Sequence, residues 1–182
     1  MEADDPPPTP SPSRSPECDC GITGNYGSDD WDSFSPQRQT VFTFIQALRD
    51  SNYEILDQTL SEDFMFEILP RSLGIPMRRK DEWLKTCRSS NILEPGYRVD
   101  VIDINESPGR IWIHATIFAR AKTGQSYENE YMLMFRLAEN SAGEPKITWL
   151  REFMDSLYTT HFANDVGGRS LKKMCDLPSS KP

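Results

Sequence analysis

An α+β fold, with helices laid on one face of a curved antiparallel sheet, is what the order of hydrophobic patterns predicts for this chain. Two observations carry that expectation. Apolar residues recur at helical spacing between residues 41 and 60 and again between 80 and 87. Beyond residue 96 the period switches to alternation, with turn residues breaking it into four runs. Helices gathered early and strands gathered late favour two segregated layers over an alternating α/β sheet.

The elements follow in order. Ser35-Pro36 offers a hydroxyl N-cap and a proline at the first helical position, so a helix starts there and buries Val41, Phe44, Ile45 and Leu48. Ser51-Asn52 interrupts it, and Tyr53, Leu56 and Leu60 form a shorter second stripe. Residues 63–69 read as a strand closed by Pro70. Residues 71–79, with Gly74 and Pro76, read as a loop, and residues 80–87 as a short helix carrying Trp83, Leu84 and Cys87. Four strands are then expected over 97–104, 110–121, 127–138 and 146–156. Pro108-Gly109, the segment 122–125 and the segment 139–145 make the turns between them.

Composition divides the 182 residues into three parts. Residues 1–33 hold six prolines and eight acidic residues against one basic one, a net charge of −7. Such a segment buries too little apolar area to offset its ordering entropy, so a disordered tail is expected there. Residues 34–163 form the expected domain, and the polar stretch 164–182 a flexible C-terminal tail. Outside 1–33 the net charge is only −1, which lacks the basic footprint that nucleic-acid binding requires. No apolar run is long enough to span a membrane, and the N-terminus lacks the basic and apolar regions of a secretion signal. A cytoplasmic protein is expected. Four cysteines are too few and too scattered for a disulfide framework, and Cys18-Asp19-Cys20 has no second ligand pair at zinc spacing. No metal and no cofactor are expected.

Several stretches carry a family resemblance: Ala47-Leu48-Arg49-Asp50 with Asn52-Tyr53, residues 69–76 (LPRSLGIP), residues 127–131 (YENEY) and residues 152–156 (EFMDS). Together with the element order, they resemble the SnoaL-like branch of the nuclear-transport-factor-2-like superfamily, in particular its small fungal proteins. That resemblance implies a cone: a curved antiparallel sheet packed against three N-terminal helices around an apolar pocket. It also implies a homodimer and a small apolar metabolite, of polyketide or terpenoid type, as partner. Polyketide cyclases, dehydratases and isomerases share the fold with proteins that catalyse nothing, so the fold leaves the reaction open.

Enzymes of this kind move protons with ionisable side chains in apolar surroundings, where burial brings a carboxyl or imidazole pKa toward neutrality. The candidates here are His114, Glu130, Glu152 and Asp155. His114 stands mid-strand among Ile111, Trp112, Ile113 and Ala115. A hairpin that sets Lys122 opposite Gln125 places His114 opposite Leu133 and on the other face from Glu130; an odd-length loop reverses that partition. Glu152 and Asp155 lie three positions apart, so only one points inward while both remain in strand, and the family resemblance favours Asp155. Tyr53, Trp83, Tyr131, Met132 and Met134 are the candidate pocket lining. The structural alternatives stay open: a hydrogen-bonded core histidine, ion pairs of Glu130 and Glu152 with Arg120, Arg136 or Arg151, and Asp155 bonding backbone groups where the last strand ends. The two functional expectations are therefore an acid–base isomerase, cyclase or dehydratase, and a non-catalytic ligand-binding or dimerising module.

Overall fold

The structure, a computed structural model, describes residues 22–24, 31–89 and 92–166. Most of the expected tails, 1–33 and 164–182, lies outside those residues. In chain order the elements are β1 (Ile22–Gly24), α1 (Pro36–Arg49), α2 (Tyr53–Thr59), β2 (Leu60–Leu69), β3 (Arg78–Arg79), α3 (Lys80–Ser89), β4 (Arg98–Ser107), β5 (Arg110–Arg120), β6 (Ser126–Glu139), β7 (Pro145–Met154) and α4 (Ser156–Asp165). One seven-stranded sheet runs β1-β4-β5-β6-β7-β2-β3.

The fold is α+β, as the pattern predicts, with several differences. Arg78–Arg79, at the end of the expected loop 71–79, pairs with β2 as the short strand β3. The sheet is not wholly antiparallel: β2 runs parallel to β7, and β1 parallel to β4. The strands β4 to β7 are joined by short turns and must alternate, whereas β2 reaches the far side of β7 through a long connection that leaves its direction free. Ile22–Gly24 is a strand although it falls within the expected acidic tail. A fourth helix, α4, follows the last strand. Its capping residue is Asp155, whose carboxylate accepts from the Leu157 and Tyr158 N–H groups at 2.9 and 3.0 Å.

The α1 start is as the sequence predicts. Ser35 Oγ accepts from Arg38 N–H at 3.1 Å, and Asn52 caps α2 through Ile55 N–H at 3.2 Å. Glu106 at the end of β4 gathers Ser35, Gln37 and Arg38, which ties the first turn of α1 to the sheet.

Helices α1 and α3 cover the inner face. Phe44 stacks on Trp83 with ring centroids 5.7 Å apart and meets Phe135 edge-on at 5.7 Å; Phe64 and Phe66 close on Trp83 at 5.3 and 5.5 Å. Ile111, Ile113, Phe135, Ile147 and Leu150 supply the sheet side and are fully buried. Each such side chain stabilises the fold by about 1.5–3 kcal/mol. Register shifts in the β4–β5, β6–β7 and β2–β7 ladders mark where the sheet bends. Tyr127 of β6 meets Phe162 of α4 at 4.7 Å, so α4 packs on the first half of that strand.

Candidate functional site

Strand alternation sorts the ionisable residues between the two faces. On β6, Tyr127, Asn129, Tyr131, Leu133 and Phe135 are buried and point inward. On β7 the inward set is Leu150, Glu152 and Met154, because Glu152 pairs with Leu133 on one side and Ile68 of β2 on the other. Glu152 is thus a carboxyl among Ile68, Leu133, Leu150 and Met154. No hydrogen bond or ion pair reaches it among the described residues.

Burial pushes the Glu152 pKa up to about 7. The side chain keeps some solvent access, yet protein surrounds it closely enough that desolvation alone drives the shift. Its charge is felt by Cys87, Tyr97, Tyr127 and Tyr131, whose own pKa values burial raises first and Glu152 raises further; Cys87 reaches about 12. All four are therefore neutral at pH 7. The Tyr127 and Tyr131 hydroxyls hydrogen-bond each other. Buried Asn129 donates to Tyr127 Oη at 3.1 Å and to Thr159 Oγ1 of α4 at 2.9 Å, so its amide is not stranded.

Two clefts open near this cluster. A mainly apolar one of about 190 Å³ is lined by Leu48, Tyr53, Cys87, Ile92, Leu93 and Tyr97 among others. A wider groove of about 480 Å³ runs past Tyr97, Phe118, Ala119 and Tyr127, with Arg98, Arg120 and Glu128 at its polar edge. They share Tyr97. Glu152 lines neither cleft directly; Cys87 and Tyr97 stand where the smaller cleft comes within reach of its charge.

The other candidates are elsewhere. The β5–β6 hairpin sets Ala121, not Lys122, opposite Gln125, with Ala121 N–H donating to Gln125 O at 2.8 Å around a three-residue loop whose Gly124 has φ 90°. That corrects the even-loop register by one residue: His114 faces Met132, not Leu133. His114 and Glu130 consequently share the outer face and hydrogen-bond each other there. Met132 and Met134 belong to that face too, while Trp83 lies in the aromatic core. Asp155 caps α4. Tyr53 lines the smaller cleft and donates to Cys87 O at 3.2 Å, and Tyr131 lies beside Glu152. Of the four acid–base candidates, the structure thus places only Glu152 inside.

Sequence reasoning missed Tyr97, Tyr127 and Cys87. The Tyr127-Asn129-Tyr131 alternation was a usable signal, since one inward tyrosine implies the other. Tyr97 and Cys87 come from a strand start and a helix end that nothing local ties to Glu152. No group of three potential metal ligands occurs among the described residues, and none of their helices is long and apolar enough to cross a membrane.

No family model matches the chain. A curated protein named monooxygenase dmxR10, from Cryptosporiopsis sp. (strain 8999), is 26% identical over 129 residues, covering 69% of this chain and 84% of its own length. The BvnE pinacolase of Penicillium brevicompactum matches in structure with a TM-score of 0.57 and 21% identity, over 75% of this chain and 99% of its own. A nuclear-transport-factor-2-like protein of unknown function from Burkholderia pseudomallei gives a TM-score of 0.59 and 20% identity, over 70% and 97%. The chain has the nuclear-transport-factor-2-like fold, and the SnoaL-like proteins of fungi are among those it resembles.

Proposed function

We propose that the protein is a small cofactor-independent enzyme that uses Glu152 to move a proton on an apolar metabolite of polyketide or terpenoid type. The observation that carries this reading is the unpartnered inward carboxyl with a pKa near 7, beside three neutral tyrosines. A carboxyl poised at neutrality is present in both protonation states, as an acid–base catalyst must be. In an isomerisation, the carboxylate takes a proton from a carbon beside a carbonyl and the carboxylic acid returns it at another atom. In a dehydration, the acid protonates a hydroxyl that leaves as water, and the carboxylate then removes the neighbouring proton. Either cycle restores Glu152 without a second reagent. A tyrosine hydroxyl, of which Tyr97 is nearest the cleft, supplies the hydrogen bond that stabilises a developing oxyanion. The similarity to a protein named as a pinacolase supports an enzyme over a passive fold.

In this reading His114, Glu130 and Asp155 take no proton from the substrate. The test is mass spectrometry of small molecules co-purifying with the wild-type protein, Glu152→Gln and His114→Ala, followed by turnover of whatever species is found. Glu152→Gln is expected to lose about 10²–10⁴-fold in rate while His114→Ala keeps most of it. Normal turnover by Glu152→Gln overturns the assignment. The same unchanged hydrophobe on all three proteins favours the ligand-binding module instead.

A further inference from the structure

Asn129 of β6 carries a buried amide whose orientation its neighbours fix. The Glu130 N–H can only donate, so the Asn129 atom it reaches at 2.9 Å is the oxygen, Oδ1. Thr159 of α4 spends its one hydroxyl proton on the Asp155 carbonyl at 2.7 Å. Its Oγ1 must therefore accept from Asn129, and it does so from Nδ2 at 2.9 Å. Both neighbours demand the same amide orientation. The other proton of Nδ2 goes to Tyr127 Oη at 3.1 Å.

The hydrogen bond between the two phenols then has one favoured direction. Tyr131 is enclosed, and Tyr127 Oη is the one acceptor its hydroxyl meets among the described residues. Leaving a buried donor unspent is costly, so Tyr131 donates and Tyr127 accepts. Burial raises the pKa of both phenols, but the bonds from Tyr131 and Asn129 work to lower that of Tyr127, while the bond to Tyr127 pushes that of Tyr131 up further. Tyr127 Oη thus accepts twice, and its own proton is the one left over in the cluster. Tyr127 is also the member of the pair that lines the wider groove. Tyr97 reaches both clefts, but no hydrogen bond orients its hydroxyl among the described residues.

We propose that Asn129 is a positioning residue: locked by Thr159 of α4, it holds Tyr127 as the hydroxyl donor to a phenolate or enolate oxygen of a ligand in the wider groove. Two accepted bonds polarise Tyr127 and strengthen the bond it gives, most of all toward an oxygen that carries charge. The hydroxyl is aimed before the ligand arrives, so no reorientation is needed. Without Asn129, the Tyr127 hydroxyl is free to turn and give its proton to Tyr131. Helix α4 thereby contributes to the site without touching the ligand. This inference rests on the reading of the Glu152 side of the fold as a ligand site, and it adds a residue that neither takes nor gives a proton.

The test uses para-nitrophenol, which ionises near neutral pH and absorbs visible light only as the phenolate. It is titrated with the full chain across pH, which gives separate affinities for phenol and phenolate, and circular dichroism checks folding. The wild type is expected to bind the phenolate at millimolar concentration or below. It should hold it at least about tenfold more tightly than Asn129→Leu or Tyr127→Phe, with phenol affinity changed far less. Thr159→Val cannot accept from the amide and is expected to follow Asn129→Leu, while Thr159→Ser restores binding. Glu152→Gln removes a negative charge near the pair and is expected to bind the phenolate more tightly. A failure of Glu152 as the acid–base group therefore shows in turnover and leaves this readout intact. Absence of phenolate binding by the wild type overturns the inference. So does wild-type phenolate affinity in Asn129→Leu or Tyr127→Phe. Should Asn129→Leu fail to fold, the two Thr159 variants carry the test, and equal phenolate affinity in both overturns it.

Discussion

Two carboxylates on neighbouring strands show how differently the two faces of one sheet treat the same group. Glu67 of β2 and Glu152 of β7 are a single step apart in register, since Glu67 pairs with Arg151 and Ile68 with Glu152. Glu67 points outward and is only 4% exposed. Burial works to raise its pKa, but hydrogen bonds and charge from Arg71 and Arg151, both with Nε at 2.8 Å, outweigh burial and hold it below the usual carboxyl value. Glu152 points inward, meets no cation among the described residues, and rises to about 7. Partners, rather than burial itself, decide whether a carboxylate becomes a fixed structural ion or a group that titrates in the working pH range.

The inner wall is the part whose removal costs most. Phe135→Ala leaves a cavity beneath Phe44 and is expected to lower stability by about 3–5 kcal/mol, measured by denaturant unfolding. A loss below about 1 kcal/mol would mean that the interior is loosely packed and that Glu152 is better solvated than its surroundings imply.

Glu152→Gln sharpens the contrast through pH. The folded-state pKa lies above the ordinary carboxyl value of 4.5, so between pH 4.5 and about 7 the folded protein binds more protons than the unfolded chain. Stability therefore falls as pH rises through that window and levels off above it. The variant lacks that slope and is expected to exceed the wild type at pH 8 by at most about 3 kcal/mol, the shift converted at 1.36 kcal/mol per unit. Parallel stability–pH curves would place Glu152 in water.

On the outer face the sign reverses. Glu67→Gln leaves Arg151 and Arg71 without their carboxylate and is expected to cost about 2 kcal/mol at pH 7, tempered by the solvent access of both arginines. Because the Glu67 pKa is lowered, its contribution is present above the ordinary carboxyl value and disappears on acidification, opposite to Glu152. Equal behaviour of the two variants across pH would break the comparison.

The smallest effect belongs to the residue the family resemblance favoured. Asp155→Ala removes two hydrogen bonds at the start of α4 and is expected to cost about 1 kcal/mol, with Asp155→Asn recovering part of it. If turnover fell by orders of magnitude in both variants at unchanged stability, Asp155 would belong to the chemistry and not to the cap.

Much of the fold was legible in the sequence because its signals are local. Ser35-Pro36 starts a helix whatever lies above it, and the alternation through residues 111–115 makes a strand in any sheet. The parallel pairing of β2 with β7 was not legible, since it joins segments about 85 residues apart and depends on which edge is left free. The site was half legible. The acid–base candidate Glu152 was named along with His114, Glu130 and Asp155, while Tyr97, Tyr127 and Cys87 were not, and the sorting of His114 and Glu130 depended on a hairpin in which a loop of two or three residues around Gly124 inverts every side chain of β5 relative to β6.

By itself, then, the sequence determined the order of α1 to α3, β2 and β4 to β7, the two-layer class and the fact that ionisable residues interrupt apolar strands. Period and turn chemistry are properties of neighbouring residues and survive without a partner. The tertiary structure alone decided that Glu152 is inside without a counter-ion among the described residues, that His114 and Glu130 are outside together, and that Glu67 is neutralised by Arg151, 84 residues away. Alternation fixes which side chains share a face but not which face meets the helices, and a pKa depends on charges that only the folded chain brings within range.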